Sequence, residues 1–381
     1  MDFTLSDEQH ALRDAVRGLL GKRYGSIEAR RAATEADPGY DETVWGELAQ
    51  LGALALPFAE EIGGVGAGPV EVGVVAEEIG RVLAPEPYVE AVVLAGGLVA
   101  AAGTAEQRSE LIGGLVSGER LLAFAWLEPG RRWAADAVAV TATQGSDGWR
   151  LNGIKEPVVQ GARADTLIVS AAIDGGTGLF VVAGDAAGVT RTGYRTHDGS
   201  RAAKIEFADA VASPLGDAGA EQSAAIDAAL DRARIASAHE ALGASEFALT
   251  TTVGYLKTRK QFGVTLNTFQ ALTHRASDLL VELELMRSTV SWASIALDDG
   301  GSGHELATIA SQTWLTTGRA VRVIGQEAIQ LHGGIGMTAE YSVGHYTSRL
   351  TALTHLAGDA AFHRARLAGH LADHEAFDPM G

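Results

Sequence analysis

Arg259-Lys260-Gln261-Phe262-Gly263, followed by Phe269-Gln270, and Ala328-Ile329-Gln330-Leu331-His332-Gly333-Gly334-Ile335-Gly336 are the two stretches on which the reading of this chain turns. Each closes a long helical run and then presents groups suited to an anion: a guanidinium with paired donors, amide side chains, and glycines that let backbone N–H groups approach closely. A lone arginine after a helix, or a lone Gly-Gly, has a simpler reading as a C-terminal cap. Both stretches occur here, in this order, on neighbouring helical runs. The run before the first stretch, from about residue 220 to 259, would approach ~60 Å at 1.5 Å per residue and predicts a helix packed along a bundle. Leu272, Leu279, Leu283, Met286, Val290 and Leu297 form a single apolar stripe on the next helix. Further helices over roughly 306–331 and 348–370 complete a C-terminal four-helix bundle spanning residues 217–381.

Moving toward the N-terminus, residues 121–216 change to short runs of Val, Ile, Phe and Thr separated by Gly, Asp and Asn, a β texture. The clearest strands are 137–143, 149–151, 166–172, 179–183 and 204–207, with Gly145-Ser146-Asp147-Gly148 as a hairpin connection; a small barrel or sandwich is expected. Residues 1–120 return to helical spacing. Ser6 with Gln9 is a capping-box pattern ahead of Leu12, Val16, Leu19 and Leu20. Asp41 opens a helix carrying Val44, Trp45, Leu48 and Leu51, another is expected over about 70–82, and Pro85 and Pro87 mark a turn. Two Ala/Leu-rich segments then divide near Gly103-Thr104. The predicted fold class is α+β multidomain: a helical domain, a β domain and a helical bundle.

At 381 residues and 46% apolar composition the chain can bury several cores, which excludes a single small module or a disordered protein. It has no cysteine, so disulfides and thiolate metal sites or nucleophiles are ruled out, as fits a reducing cytoplasm. The N-terminal residues lack a basic and an apolar segment, and no apolar run reaches the roughly 20 residues of a membrane span. A net charge of −18 repels nucleic acid and anionic lipid, so an anionic ligand must be held locally. The histidines are not spaced as ligands of one metal site.

With these motifs in order, the chain resembles the acyl-CoA dehydrogenase family over nearly its whole length. Supporting runs are Glu60-Glu61-Ile62-Gly63-Gly64, Glu128-Pro129-Gly130, Trp149-Arg150-Leu151-Asn152-Gly153-Ile154-Lys155 and Glu206-Phe207-Ala208-Asp209-Ala210-Val211. The resemblance implies an acyl-CoA substrate, FAD as cofactor and an electron-transfer flavoprotein as electron acceptor. It further implies that Arg259, Gln261, Phe262, Phe269, Gln270 and the run Gln330, Leu331, His332, Gly333 and Gly334 contact the FAD of a neighbouring subunit, in a homodimer, a homotetramer or a heterotetramer with a second chain of the family.

The chain departs from the family at the places that hold its own flavin. Leu127 stands before Glu128-Pro129 where the family has Thr or Ser, and a leucine cannot hydrogen-bond a flavin. After Lys155 come Glu156-Pro157-Val158-Val159, not the family's aromatic, Ile and Thr or Ser. The family's usual base, a Glu before Gly in the C-terminal helix, matches Ala357. Alternative positions on the long helix match Ala233 and Glu240, and Glu240, among small apolar residues, is the expected base of a complete dehydrogenase. A carboxylate paired with a basic neighbour is its structural alternative, and Asp359 lies one residue beyond the usual site. The other functional reading is a non-catalytic subunit that completes a partner's FAD site, similar to divergent actinobacterial members that form heteromeric steroid dehydrogenases.

Overall fold

Ser6 begins the first helix as its spacing predicts: its hydroxyl accepts the Gln9 N–H, and the Gln9 side chain accepts the Ser6 N–H. The computed structural model describes residues 4–369. The N-terminal unit comprises α1 (Asp7–Arg23), α2 (Ile27–Glu35), α3 (Glu42–Gln50) and α4 (Pro69–Val82). A π-helical segment (Tyr88–Gly96) runs into α5 (Gly97–Ala102), and α6 (Ala105–Val116) starts from a second capping box at Thr104 and Gln107. Helix α2 had no clear sequence signal.

The middle unit holds β1 (Leu122–Ala125), β2 (Thr141–Gly145), β3 (Gly148–Val159), β4 (Thr166–Ile173), β5 (Gly176–Ala183), β6 (Val189–Arg195) and β7 (Arg201–Pro214). Their order is β1-β4-β2-β3-β7-β5, with β6 beside β7, and an additional β4–β5 pairing closes the sheet on itself. This is the barrel alternative of the sequence reading. Gly145 and Gly148 are paired across the expected hairpin. The strand expected over 137–143 begins later, because residues 138–140 instead donate their N–H groups to a side chain described below. Strands β1 and β6 were not anticipated.

The C-terminal unit is α7 (Ser223–Thr258), a two-stranded ribbon of β8 (Lys260–Gln261) and β9 (Val264–Thr265), α8 (Gln270–Asp298), α9 (Gly303–His332), α10 (Ser342–Ala357) and α11 (Ala360–Gly369). The α8 stripe is buried at Leu279, Leu283, Met286, Val290 and Leu297. Helix α7 packs closely on α4 where Gly80 and Gly243 stand: a Cβ on Gly80 would overlap the Glu240 carbonyl, and one on Gly243 the Glu77 carbonyl. The last predicted helix, 348–370, is instead two. Gly358, at φ +111°, breaks it in a conformation that favours glycine, and the Asp359 carboxylate caps the next turn by accepting the Phe362 N–H at 2.8 Å. His370, where that helix was expected to end, lies outside the described residues. Among the described residues, no helix is long and apolar enough to cross a membrane.

Candidate functional site

Two of the short sequence motifs meet in the barrel wall. Glu128, from the Glu-Pro-Gly turn after β1, accepts backbone N–H groups of Val138, Ala139 and Val140. Its other partner is Lys155 of β3, whose Nζ lies 3.1 Å from Glu128 Oε1 and also donates to Trp126 O and Ser170 Oγ, both at 3.0 Å. Both side chains are buried. Burial pushes the Lys155 ammonium down to about 8, against the pull of Glu128. These residues therefore fix the loop.

That fixed loop forms one wall of a cavity of about 730 Å³, within the range of ~300–1,000 Å³ common for cofactor pockets. Leu127, Pro157 and Val159 line it from the barrel, Thr196 to Arg201 from the β6–β7 turn, and Thr351, Thr354, His355 and Asp359 from α10 and beyond. Trp133 lashes the two sides together: Nε1 donates to His355 O at 2.6 Å and its ring meets Phe362 at 5.6 Å. Leu127, Pro157 and Val159 offer the cavity no side-chain donor or acceptor. The cavity has room for a cofactor, but this part of its lining supplies no side-chain hydrogen bonds.

Where the cavity floor meets the N-terminal unit lies a buried ionic cluster that sequence reading missed. Arg349 of α10 donates through Nε to Glu240 Oε1 at 2.6 Å and through Nη2 to Glu240 Oε2 at 3.1 Å. Its Nη1 donates to Asp198 Oδ2 at 2.8 Å, and Glu90 lies 3.6 Å away. Arg30 of α2 reaches the same corner, donating to Leu83 O and Asp198 O. The cluster ties the N-terminal unit, the barrel and the bundle at one point. Although burial acts against its charge, the carboxylates of Glu240, Asp198 and Glu90 hold the Arg349 guanidinium well above its ordinary value. In return Arg349 keeps Asp198 well below the usual carboxylate range despite its burial. Of the two settings open to Glu240, an available base among apolar residues and a carboxylate paired with a basic neighbour, the structure holds the paired one: both its oxygens are engaged by an arginine 109 residues away.

Ala357 and Ala233 line a smaller recess of about 70 Å³ that shares Leu127, Pro157, Val159 and Leu356 with the larger cavity. The Ala357 carbonyl is pinned by Arg234 Nε at 2.9 Å and by the His363 ring at 3.2 Å. Arg234 also donates to Asp231 at 2.7 Å, and Asp231 is gripped from the other side by Arg366. Burial, then Arg234 and Arg366, push the His363 imidazole down to about 4.

The residues of the two opening stretches lie elsewhere, at the far end of the bundle, and none of them lines the cavity. His332 brings the stretches together, its ring 4.5 Å from Tyr255 of α7 and 4.9 Å from Tyr341. Arg259, Gln261, Gln270, Gln330, Gly333 and Gly334 are exposed. A Cβ on either glycine would meet nothing, so their backbone faces open space. Phe262, at φ +54°, is 89% exposed at the tip of the ribbon and meets Phe269 edge-on at 6.1 Å. Leu331 and His332 are buried in the bundle, so within that run only Gln330 and the glycines face outward. An exposed arginine, free amides and open glycine backbone fit a diphosphate presented by another molecule.

Comparison with known proteins agrees with this architecture. The family of acyl-CoA dehydrogenase N-terminal domains matches residues 6–119, and that of acyl-CoA dehydrogenase C-terminal domains residues 223–372. An acyl-CoA dehydrogenase named IpdE2 from Mycobacterium tuberculosis is 32% identical, covering 91% of this chain and 92% of its own. Among solved structures, a variant of the Tcur3481–Tcur3483 steroid ACAD matches with a TM-score of 0.88 and 34% identity, over 97% of this chain and 99% of its own. The ChsE4–ChsE5 complex from Mycobacterium tuberculosis matches with a TM-score of 0.88 and 26% identity, over 99% of this chain and 100% of its own.

Proposed function

Since the chain belongs to the acyl-CoA dehydrogenase family, we propose that it is the non-catalytic subunit of a heteromeric dehydrogenase and completes the FAD site of a catalytic partner chain. Members of the family are oxidoreductases that use FAD, and that much holds for this chain by membership. Two of the structural neighbours are named as two-component proteins, the Tcur3481–Tcur3483 and ChsE4–ChsE5 pairs. The observation that carries the proposal is the state of the three candidate base positions: alanine at 233 and 357, and at 240 a carboxylate whose two oxygens are both bound by Arg349. Proton abstraction needs an available carboxylate, and Arg349 occupies this one. The complete homomeric dehydrogenase with Glu240 as base is therefore the weaker reading.

In the proposed assembly Arg259 supplies paired donors to the diphosphate, Gly333 and Gly334 supply backbone N–H groups, and Gln270 and Gln330 serve donors and acceptors of the adenosine. Phe262 and Phe269 shield that contact from water. Bound FAD would supply the hydride acceptor for the β-hydrogen of the acyl thioester, the catalytic partner's base would take the α-proton, and an electron-transfer flavoprotein would take the electrons onward. The acidic surface repels the cofactor at long range, so its hold is local.

Expression alone and co-expression with a second family member encoded nearby provide the test. Flavin absorbance and acyl-CoA turnover are expected only in the co-purified pair. A lone chain that binds FAD at one per subunit and turns over acyl-CoA would overturn the proposal.

A further inference from the structure

The recess behind the large cavity combines apolar walls, among them Leu94, Phe124 and Leu230, with three polar side chains: Glu90, Arg234 and Ser237. Arg234 is already committed to Ala357 O and Asp231. Ser237 is not, and Glu90 is held only by an ion pair. Glu90 projects from the π-helical segment, a rare conformation frequent at functional sites, and its ion pair with Arg349 at 3.6 Å comes with no hydrogen bond. Ser237, half-buried on α7, has no hydrogen-bond partner among the described residues. An acceptor and a hydroxyl therefore share a small apolar chamber, and each loses its hydration when a ligand fills that chamber.

We infer that Glu90 and Ser237 make this recess selective for an acyl thioester whose chain carries a hydroxyl group. The chemistry excludes the two simplest alternatives. A plain alkyl chain would leave the Ser237 hydroxyl without a partner, at ~1–3 kcal/mol, and Glu90 with only its ion pair to Arg349 at 3.6 Å. A second carboxylate would face Glu90 at close range and be repelled. A hydroxyl donates to the Glu90 carboxyl, which keeps an acceptor oxygen in either protonation state, and accepts from Ser237. Sites built to bond a substrate hydroxyl reject the analogue that lacks it far more strongly than apolar pockets reject an extra methylene. The thioester part of the inference rests on the family reading above, whereas the selectivity does not depend on which chain holds the flavin.

Calorimetric titration of the full chain, together with its partner where the two co-purify, would use octanoyl-CoA, its ω-hydroxy derivative and its ω-carboxy derivative. The ω-hydroxy compound is expected to bind at least ~10-fold more tightly than octanoyl-CoA, a difference of ~1.4 kcal/mol, and the ω-carboxy compound most weakly. Glu90→Leu should reverse the preference between the first two. Because Glu90 also pairs with Arg349, Ser237→Ala is the second arm: the side chain it removes has no protein partner, so the fold is retained and the preference should fall at least ~3-fold. Equal binding of the hydroxylated and plain compounds, or an unchanged ratio in Ser237→Ala, would overturn the inference. Failure of all three to bind would also overturn it. Flavin content of the same preparations reads the subunit proposal separately.

Discussion

Arg349 and Glu240 form a fork-to-fork pair, two N–H···O bonds of 2.6 and 3.1 Å, at the point where all three units of the chain meet. Asp198 and Glu90 complete the guanidinium's surroundings. Removing the guanidinium leaves these carboxylates buried together without it. Arg349→Met is therefore expected to destabilise the chain by ~3–5 kcal/mol, the scale for breaking one side of a buried pair, seen as a lower urea midpoint.

Glu240→Gln keeps the shape and one acceptor oxygen, and gives the complementary result. In the assembled enzyme its turnover should fall less than ~10-fold, since general-base catalysis is typically worth 10²–10⁴. A loss beyond ~100-fold with an unchanged urea midpoint would restore Glu240 as the base.

The Arg259 side chain makes no hydrogen bond or ion pair with any described residue and is exposed, whereas its backbone N–H donates to Tyr255 O at 2.8 Å. Arg259→Ala should therefore leave the thermal midpoint of the lone chain within ~1 °C, since Arg259 caps α7 through its backbone N–H and the side chain belongs to no network. In the heteromer the same change should release FAD, with retention after gel filtration falling ~10-fold or more; full flavin retention would remove Arg259 from the cofactor contact. Arg259→Lys should not rescue fully, because an ammonium lacks the paired donors.

Lys155→Met would leave Glu128 charged in a buried site, although that carboxylate would keep its bonds from Ala139 and Val140. The expected cost is ~3 kcal/mol or more, measured by denaturant unfolding. Glu128→Leu should cost at least as much, since it strands the Lys155 ammonium and three backbone N–H groups together.

His363 gives a pH dependence whose sign follows from its surroundings. Its folded-state value, about 4, is below the ordinary one because of burial and the nearby Arg234 and Arg366. Between about 6.5 and about 4 the unfolded chain binds the extra proton, so this group's contribution is fully present above about 6.5 and lost as pH falls toward about 4. The stability difference between wild type and His363→Gln should shrink over that window. A difference that is flat with pH would place the imidazole outside its buried contacts with Ala357 and Ser311.

Local signals were legible where the chemistry is local. The capping boxes at Ser6 and Thr104, the turn at Gly145–Gly148 and the α8 stripe depend on residues within a few positions of one another. The Glu128 and Lys155 motifs were visible too, but their pairing across 27 residues was not. The break at Gly358 was missed because flanking apolar residues continue the helical spacing through it, and only the left-handed backbone marks the stop.

The sequence by itself determined the order of helices, β domain and bundle, because periodicity is carried by short stretches of chain, and the resemblance of its motifs singled out Arg259, Gln330, Gly333 and Gly334. Tertiary structure alone decided what Glu240 is: the spacing along α7 left an available base and a paired carboxylate both open, and packing brought an arginine from α10 against both of its oxygens. It also decided that Glu90 and Ser237 share one recess with the alanines at 233 and 357. The reason is physical: a buried charge takes its character from whatever folding places within a few ångströms, and spacing along the chain does not encode that neighbour.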